Sequence, residues 1–370
     1  MPAPARRQPR KAAGTRARRG KPAAPHHAVA RVIERVTATA RRYEMFQPGE
    51  TVIVACSGGP DSMCLLLSLF QLRRLFRIKL AVFHFDHRLR EDSAADAAYV
   101  AKQAARRRLP FILHQAVDAP RKGQSVEAWA RLARYASLTA AATEAGADRA
   151  ALGHTLDDQA ETVLLGLVRG GGMEALAGMP AVASLPPLGF PASRPLIETT
   201  REEVEAFCRS SRLRPREDPT NRDPRFLRNR IRHHMLPLLE RELDRDLRAT
   251  LARTAENVRG DVGYLEGLAS HAASTLVEVR DEEIRIAIPG LAELPAPIGA
   301  RVVRQAVRLA GAVWGEWGAD VGAAHINGVL ELATGRTGRR VDLPGDLMAE
   351  RRREYVRLSR SSPGRRKGER

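Results

Sequence analysis

The stretch Val52-Ile53-Val54-Ala55-Cys56-Ser57-Gly58-Gly59-Pro60-Asp61-Ser62-Met63-Cys64-Leu65-Leu66-Leu67 decides how the rest of the chain is read. An apolar, β-branched run breaks into small and polar residues, and a leucine-rich helical pattern follows at once. This predicts a strand, a tight glycine loop and a helix N-terminus. The first turn of a helix has N–H groups without internal partners, and the macrodipole adds roughly half a positive charge there. Gly58 and Gly59 carry no Cβ, so a phosphate can approach the main chain across the Ser57, Gly58, Gly59, Pro60, Asp61, Ser62 loop. Ser57 and Ser62 add hydroxyl donors, and Asp61 is the candidate ligand for a Mg2+ ion bridging phosphate oxygens. No Gly-Lys-Ser/Thr follows, so the loop is not a Walker A motif, and it is not Gly-x-Gly-x-x-Gly either.

Working outward, 370 residues are enough for two or three domains, and 44% hydrophobic content supports real cores. No apolar run approaches the roughly 20 residues of a membrane span. The three cysteines, Cys56, Cys64 and Cys208, form no Cys-x-x-Cys pair, which predicts neither a disulfide framework nor a zinc site and fits a reducing cytoplasm. The net charge of +18 is concentrated at the ends: residues 1–30 contribute +8 and residues 359–370 +4, leaving +6 between them. Basic tails on a modestly charged body point to a polyanion such as RNA, although a solvated basic extension has the same composition. The first 28 residues lack hydrophobic periodicity and the apolar core of a secretory signal, so they are expected to be disordered and not to direct export.

Helical spacing of Val32, Ile33, Val36 and Ala40 predicts a first helix from about Val29 to Tyr43. Lys79–Phe85 reads as a buried strand ending in His84-Phe85-Asp86-His87-Arg88-Leu89-Arg90, where polar groups sit at the ligand-binding end of an α/β sheet. A metal cluster of His84, Asp86 and His87 lacks further zinc-type ligands nearby, and hydrogen bonding around a nucleotide suits them better. A helix over Ala94–Arg107, a strand at Phe111–Gln115 and a long helix from Ser125 to Glu144 follow. On the last, Arg131 and Arg134 share a face among Trp129, Ala130, Ala133 and Tyr135, either as a solvated stripe or as partly dry phosphate or base contacts. Arg149–Gly153 reads as a strand delivering Gly153-His154-Thr155-Leu156-Asp157-Asp158-Gln159-Ala160-Glu161-Thr162. Thr155 and Asp158 have capping-box spacing, which does not account for His154 or for three carboxylates (Asp157, Asp158, Glu161) at one strand end. Such a cluster suits a metal, a substrate ammonium or proton removal from an amine.

Residues 173–198 are rich in Pro and Gly and end in Arg194-Pro195-Leu196-Ile197; a helix from about Arg201 to Arg212 follows. Turn signals in 217–224 then introduce Arg225, Phe226, Arg228, Asn229, Arg230 and Arg232, a basic helix expected to end near Pro237. A basic helix is often a solvated face; the interleaved Phe, Asn and His favour RNA contact. From Leu236 to about Thr275 the period is helical, Glu282–Ile288 alternates like a strand, Pro295–Leu309 is helical, and Val341–Asp346 with Arg352–Leu358 reads as a small β element.

The Ser-Gly-Gly-Pro-Asp-Ser loop resembles the PP-loop of the ATP pyrophosphatase superfamily, whose members cleave ATP between the α and β phosphates. With His84–Arg90, Ala130–Tyr135, Gly153–Thr162 and Asp218–His233 following in order, the chain resembles the tRNA(Ile)-lysidine synthetase family, closely over about residues 30–240 and more loosely beyond. The resemblance implies an α/β fold: a parallel-sheet PP-loop domain over 29–240, a helical, tRNA-binding segment over 241–280, a small α+β domain over 281–358, and basic tails at 1–28 and 359–370. It further implies an ATP- and Mg2+-dependent ligase, with free L-lysine and the CAU-anticodon tRNA(Ile) as partners, in the cytoplasm, without a membrane; a homodimer is left open. By that resemblance Ser57–Ser62 hold the phosphates, Asp61 the metal, and Arg134 and His154 the cytosine and phosphorus centre. Asp158, with Asp157 or Glu161, would bind the lysine ammonium and help deprotonate it, while Arg131, Arg225, Arg228, Asn229, Arg230 and Arg232 would meet tRNA. A tRNA thiolase would need paired cysteines, which this chain lacks. A non-catalytic RNA-binding protein would not need an intact loop and acidic cluster.

Overall fold

The computed structural model describes residues 25–88, 93–119, 126–185, 189–216, 223–314 and 321–361. The expectations for residues 1–24, Leu89 and Arg90, Ser125, the 217–222 turn and the last nine residues lie outside the described residues.

Six strands, β1 (Thr51–Ala55), β2 (Lys79–Asp86), β3 (Phe111–Gln115), β4 (Arg149–Ala151), β5 (Val182–Leu185) and β6 (Phe190–Ser193), form one sheet in the order β3-β2-β1-β4-β6-β5. All neighbours are parallel except the β5–β6 hairpin. Val52, Ile53 and Val54 are fully buried because both faces of the sheet are covered, as a parallel sheet requires. Alternation sends Val52 and Val54 to the core formed with helices Pro25–Arg42, Pro60–Leu72 and Arg201–Ser210, and Ile53 to the core under helix Val126–Glu144. Strand order runs outward from β1 through β2 to β3, then returns to β4 on the other side of β1. The crevice at this switch point, beyond the C-terminal strand ends, is where such sheets take ligands. It receives both Ser57–Ser62 and His154.

A second core joins helices Leu247–Leu276, Ala296–Trp314 and Ala323–Thr334 to an antiparallel sheet. Its strands are β7 (Val277–Val279), β8 (Ile284–Ala287), β9 (Arg340–Leu343), β10 (Leu347–Arg351) and β11 (Tyr355–Arg360), in the order β7-β8-β11-β10-β9. Helix Leu247–Leu276 belongs to both bodies: Glu256 accepts from the Tyr43 hydroxyl at 3.0 Å and Arg259 donates to the Met179 carbonyl at 3.0 Å.

The α/β parallel sheet and the separate C-terminal body agree with the sequence reading, and four elements differ from it. The first helix starts at Pro25, so residues 25–28 are helical rather than part of a disordered tail. Val182–Leu185 and Phe190–Ser193, in a Pro/Gly-rich stretch given no regular element, pair as a hairpin that adds two strands; Gly189, just before the second, has φ +71°. The helix expected to end near Pro237 continues through it. Residues Ile231–Met235 form a π turn immediately before, which widens the ladder where a proline has no donor and its ring would meet the carbonyl four residues back. The long helical run from Leu236 breaks at Asp244, which takes a left-handed conformation (φ +47°), before restarting at Leu247.

Candidate active site

The loop after β1 turns at Gly58, whose φ of +91° is costly for any residue with a side chain. Its hydroxyls brace the loop itself: Ser62 Oγ accepts from Ser57 N–H at 3.2 Å and donates to the Gly59 carbonyl at 3.0 Å, and Ser57 Oγ accepts from Gly59 N–H at 3.3 Å. Pro60 occupies the first helical turn, and Gly59 caps the helix without a side chain, so that end stays open to an anion. Gly153, the residue before His154, lies hard against this turn; a Cβ there would stand 3.2 Å from Ser62 N and Asp61 C.

Asp61 lies below the same turn. Its Oδ2 is 3.3 Å from Arg201 Nη2, while its Oδ1 is buried with no hydrogen-bond partner. Burial pushes its carboxyl up to about 6, against the pull of Arg201. A buried carboxylate oxygen without a donor fits a hard cation, so Asp61 is a suitable Mg2+ ligand on the donor chemistry. Among the described residues no group of three or more His, Cys, Asp or Glu could hold a metal ion by itself.

The acids of the second motif are gathered as the sequence predicts, but they are already matched. Thr155 caps helix Leu156–Val168 and forms the full capping box with Asp158, whose Oδ2 accepts from Thr155 N–H at 2.9 Å. Asp158 Oδ1 accepts from Arg232 at 2.9 Å and Arg228 at 3.2 Å, with Arg201 3.9 Å away. Glu161, 1% exposed, takes Arg228 Nε at 2.8 Å on one oxygen and Arg232 Nε at 2.5 Å on the other. Asp157 accepts from the Arg201 main chain at 2.7 Å and pairs with Arg248 at 3.1 Å. Burial raises the Asp158 carboxyl, but Arg228, His154, Arg232 and Arg201 together outweigh it and hold it at about 2. Held this low, Asp158 is a weak proton acceptor in the ligand-free protein and stays charged for pairing with an ammonium. His154 is likewise no base. Burial and the Arg194 charge depress its imidazole to about 3.

Arg134 and His154 line one wall of a cavity of about 620 Å3 whose other walls include the Ser57–Ser62 loop, Asp158, Arg228 and Arg232. Arg134 and Arg131 both lie over the Tyr135 ring, 5.5 and 5.1 Å from its centroid, and burial depresses the Arg134 guanidinium. His84 Nδ1 is 2.7 Å from the Cys56 carbonyl and Asp86 accepts from Arg88 N–H at 2.8 Å, so both stiffen the rim rather than ligate a metal. Of the residues expected to meet tRNA, Arg131, Arg225 and Arg230 are exposed, Asn229 donates to the Asp223 carbonyl, and Arg228 and Arg232 turn inward onto the acids. Arg225 is paired locally with Asp223 at 2.7 Å. Arg228 and Arg232 thus point at the acidic cluster, while Arg225 and Arg230 on the same stretch are exposed.

Sequence reasoning missed three arginines. Arg194, after β6, donates to His154; Arg201 bridges Asp61 and the acidic cluster; and Arg216 lies beside the PP-loop, where its N–H donates to the Gly58 carbonyl at 2.9 Å. Each stood in a stretch without a recognised motif. The only signal was an arginine at a strand or helix end bordering the sheet's C-terminal edge.

The fold and the loop define an α/β protein of the ATP-using PP-loop class, and residues 27–239 match the PP-loop domain family. The tRNA(Ile)-lysidine synthase of Solibacter usitatus is 40% identical over 317 residues, 85% of this chain and 68% of that protein. The corresponding proteins of Symbiobacterium thermophilum and Streptomyces coelicolor are 37% and 39% identical, over 90% and 81% of this chain and 70% and 82% of their own lengths. A U34-tRNA thiolase from Methanococcus maripaludis shares the fold (TM-score 0.54) at 18% identity, covering 64% of this chain and 80% of that one. The chain belongs to the tRNA(Ile)-lysidine synthase family and is an ATP-using ligase. Among the described residues no helix is long and apolar enough to cross a membrane.

Proposed function

We propose that the protein joins free L-lysine to carbon 2 of the wobble cytidine of a CAU-anticodon tRNA(Ile), converting an AUG-reading anticodon to one that reads AUA. Cytosine O2 attacks the α-phosphate of ATP, forming a phosphorus–oxygen bond as the α–β anhydride breaks and pyrophosphate leaves. The ε-ammonium of lysine then releases one proton to water, the free ε-amine attacks carbon 2, and AMP departs with the oxygen. The observation that carries this reading is convergence: the PP-loop and Asp158, Arg228 and Arg232 of the charged network line a single cavity, with Glu161 buried beneath the two arginines. Holding the two reactants together there supplies up to ~7–11 kcal/mol of the barrier reduction.

In this reading the loop N–H groups from Ser57 to Ser62 bind the phosphates, and Asp61 holds Mg2+, which neutralises phosphate charge when bound. Arg134 and His154 position the cytosine and the phosphorus centre. Free lysine carries both signs, and the network offers both: carboxylates of Asp158 and Glu161, with Asp157 behind them, for an ammonium, and the guanidinium forks of Arg228 and Arg232 for the α-carboxylate. Exposed Arg131, Arg225 and Arg230 are the tRNA backbone contacts.

The deciding experiment measures incorporation of labelled lysine into a CAU-anticodon tRNA(Ile) transcript with ATP and Mg2+. Uptake that requires ATP and the wobble cytidine is expected. Pyrophosphate release without uptake would redirect the second step to another nucleophile, and no release at all would favour a protein that only binds RNA. The thiolase alternative has no support from the cysteines. Cys56, Cys64 and Cys208 are buried, and burial pushes each thiol up, away from the reactive thiolate.

A further inference from the structure

Arg194 follows β6 directly and is 4% exposed. Its Nη1 donates to the Pro180 carbonyl at 2.7 Å, and its Nε donates to His154 Nδ1 at 3.1 Å. A guanidinium has only N–H donors and no lone pair with which to accept. The Nδ1 of His154 must therefore present its lone pair, which leaves the ring neutral with its one proton on Nε2. His154 lines the cavity and Arg194 does not, so the ring's remaining N–H, on Nε2, is the one available to a ligand there.

We propose that Arg194 is a positioning residue that fixes His154 as the Nε2–H tautomer, so that His154 meets the substrate as a hydrogen-bond donor and never as a proton acceptor. The groups that bear on the ring are consistent with this: Arg194, Arg134 and Arg228 all oppose an imidazolium, and only Asp158 favours one. The chemical partner of such a donor is an oxygen that carries or gains negative charge, as a phosphoryl oxygen does in an adenylyl transfer. An ammonium or a protonated base nitrogen is rejected. The tautomer assignment stands on the Arg194 geometry alone; its use in catalysis rests on the adenylation reading above.

The test is a long-range 1H–15N NMR spectrum of the full chain with 15N-labelled histidine at neutral pH, the His154 signals being assigned with His154→Asn. Wild type is expected to show a protonated Nε2, an unprotonated Nδ1 and no titration near the ordinary histidine value of ~6.5. Arg194→Leu is expected to mix the tautomers and to let the ring titrate. Arg194→Gln, which keeps an amide donor, is expected to preserve the tautomer. In kinetics, Arg194→Leu lowers kcat for tRNA-dependent pyrophosphate release about a hundredfold with little change in KM for ATP, and Gln restores part of it. A protonated Nδ1 in wild type, or an unchanged His154 signal in folded Arg194→Leu, overturns the proposal. Should Arg194→Leu fail to fold for want of its Pro180 contact, the wild-type and Arg194→Gln spectra still decide. The expected spectra without pyrophosphate release would sink the adenylation reading and leave the Arg194 assignment standing.

Discussion

The PP-loop and the acid–arginine network face each other across one cavity and are built on opposite principles. The loop's serine hydroxyls make their hydrogen bonds within six residues, its helix end is left open, and one Asp61 oxygen has no partner. In the network two carboxylates, of Asp158 and Glu161, are satisfied by guanidinium groups 67 to 74 residues away. The loop keeps unmet polar capacity for a ligand; the network is complete without one. Any charged ligand at the network must exchange with contacts already made. A ligand matching only one of its charges leaves a buried partner exposed.

The contrast is tested most severely at Glu161. Replacing it by Ala leaves Arg228 and Arg232 sharing the single charge of Asp158, one buried charge in excess, and a loss of about 3–5 kcal/mol of stability is expected by denaturant unfolding. Joint replacement of Glu161 and Arg232 by Leu should recover much of it. A Glu161→Ala variant as stable as wild type would mean that the network is solvated and that the contrast is false.

Asp61→Asn should behave in the opposite way. Removing its charge is expected to lower tRNA-dependent pyrophosphate release by roughly 10²–10³-fold, comparable to the loss of an oriented electrostatic contact. Stability should hold or rise slightly, because the buried carboxylate is poorly compensated. Parallel losses of activity and stability would place Asp61 among the structural groups.

This division also explains what the sequence made legible. Ser57–Ser62 is a local device: a strand, two glycines and a helix start are contiguous, so its geometry follows from adjacent residues. The carboxylates of 157–161 were visible as a cluster for the same reason. Their neutralisation was not, since Arg228 and Arg232 reach them only because the π turn at Ile231–Met235 and the packing of Ile231 and Leu236 against Ala160 seat that helix on the acids. The pattern of four arginines in eight residues carried charge but no direction. Arg194 and Arg201 escaped notice because a single arginine beside a strand end is ordinary until the sheet order brings that end to the crevice. The hairpin of Val182–Leu185 and Phe190–Ser193 was hidden by Pro191, which stands in β6 just ahead of the two residues that pair with β4.

Acid titration separates the two halves by sign. Asp158 is held at about 2, below its ordinary value of 3.8, so its contribution is complete above pH 4 and is lost as pH falls toward 2. That contribution is on the order of 2 kcal/mol. Asp61, at about 6, is raised instead, so folding gains from its protonation as pH falls from 6 toward 4. Denaturant midpoints from pH 7 to 2 should therefore show Asp158→Asn removing part of the acid-side fall, while Asp61→Asn removes a small rise above it. An Asp158→Asn curve parallel to wild type throughout would deny the arginine clasp.

The smallest change expected to matter is one methyl group at Gly153, where the two halves meet. The added Cβ of Gly153→Ala would stand 3.2 Å from both Asp61 C and Ser62 N, and these are main-chain atoms that no rotamer change can move. The helix start must shift by a few tenths of an ångström, carrying Asp61 and the open N–H groups with it, while the acid–arginine network keeps its own contacts. About 1 kcal/mol of overpacking cost is expected. Pyrophosphate release should fall about tenfold if phosphate binding depends on the loop's placement, whereas the Asp158 titration should not move. A Gly153→Ala variant that loses lysine uptake but keeps full pyrophosphate release would reverse the assignment, making the β4 end part of the lysine half of the cavity rather than the brace of the phosphate half.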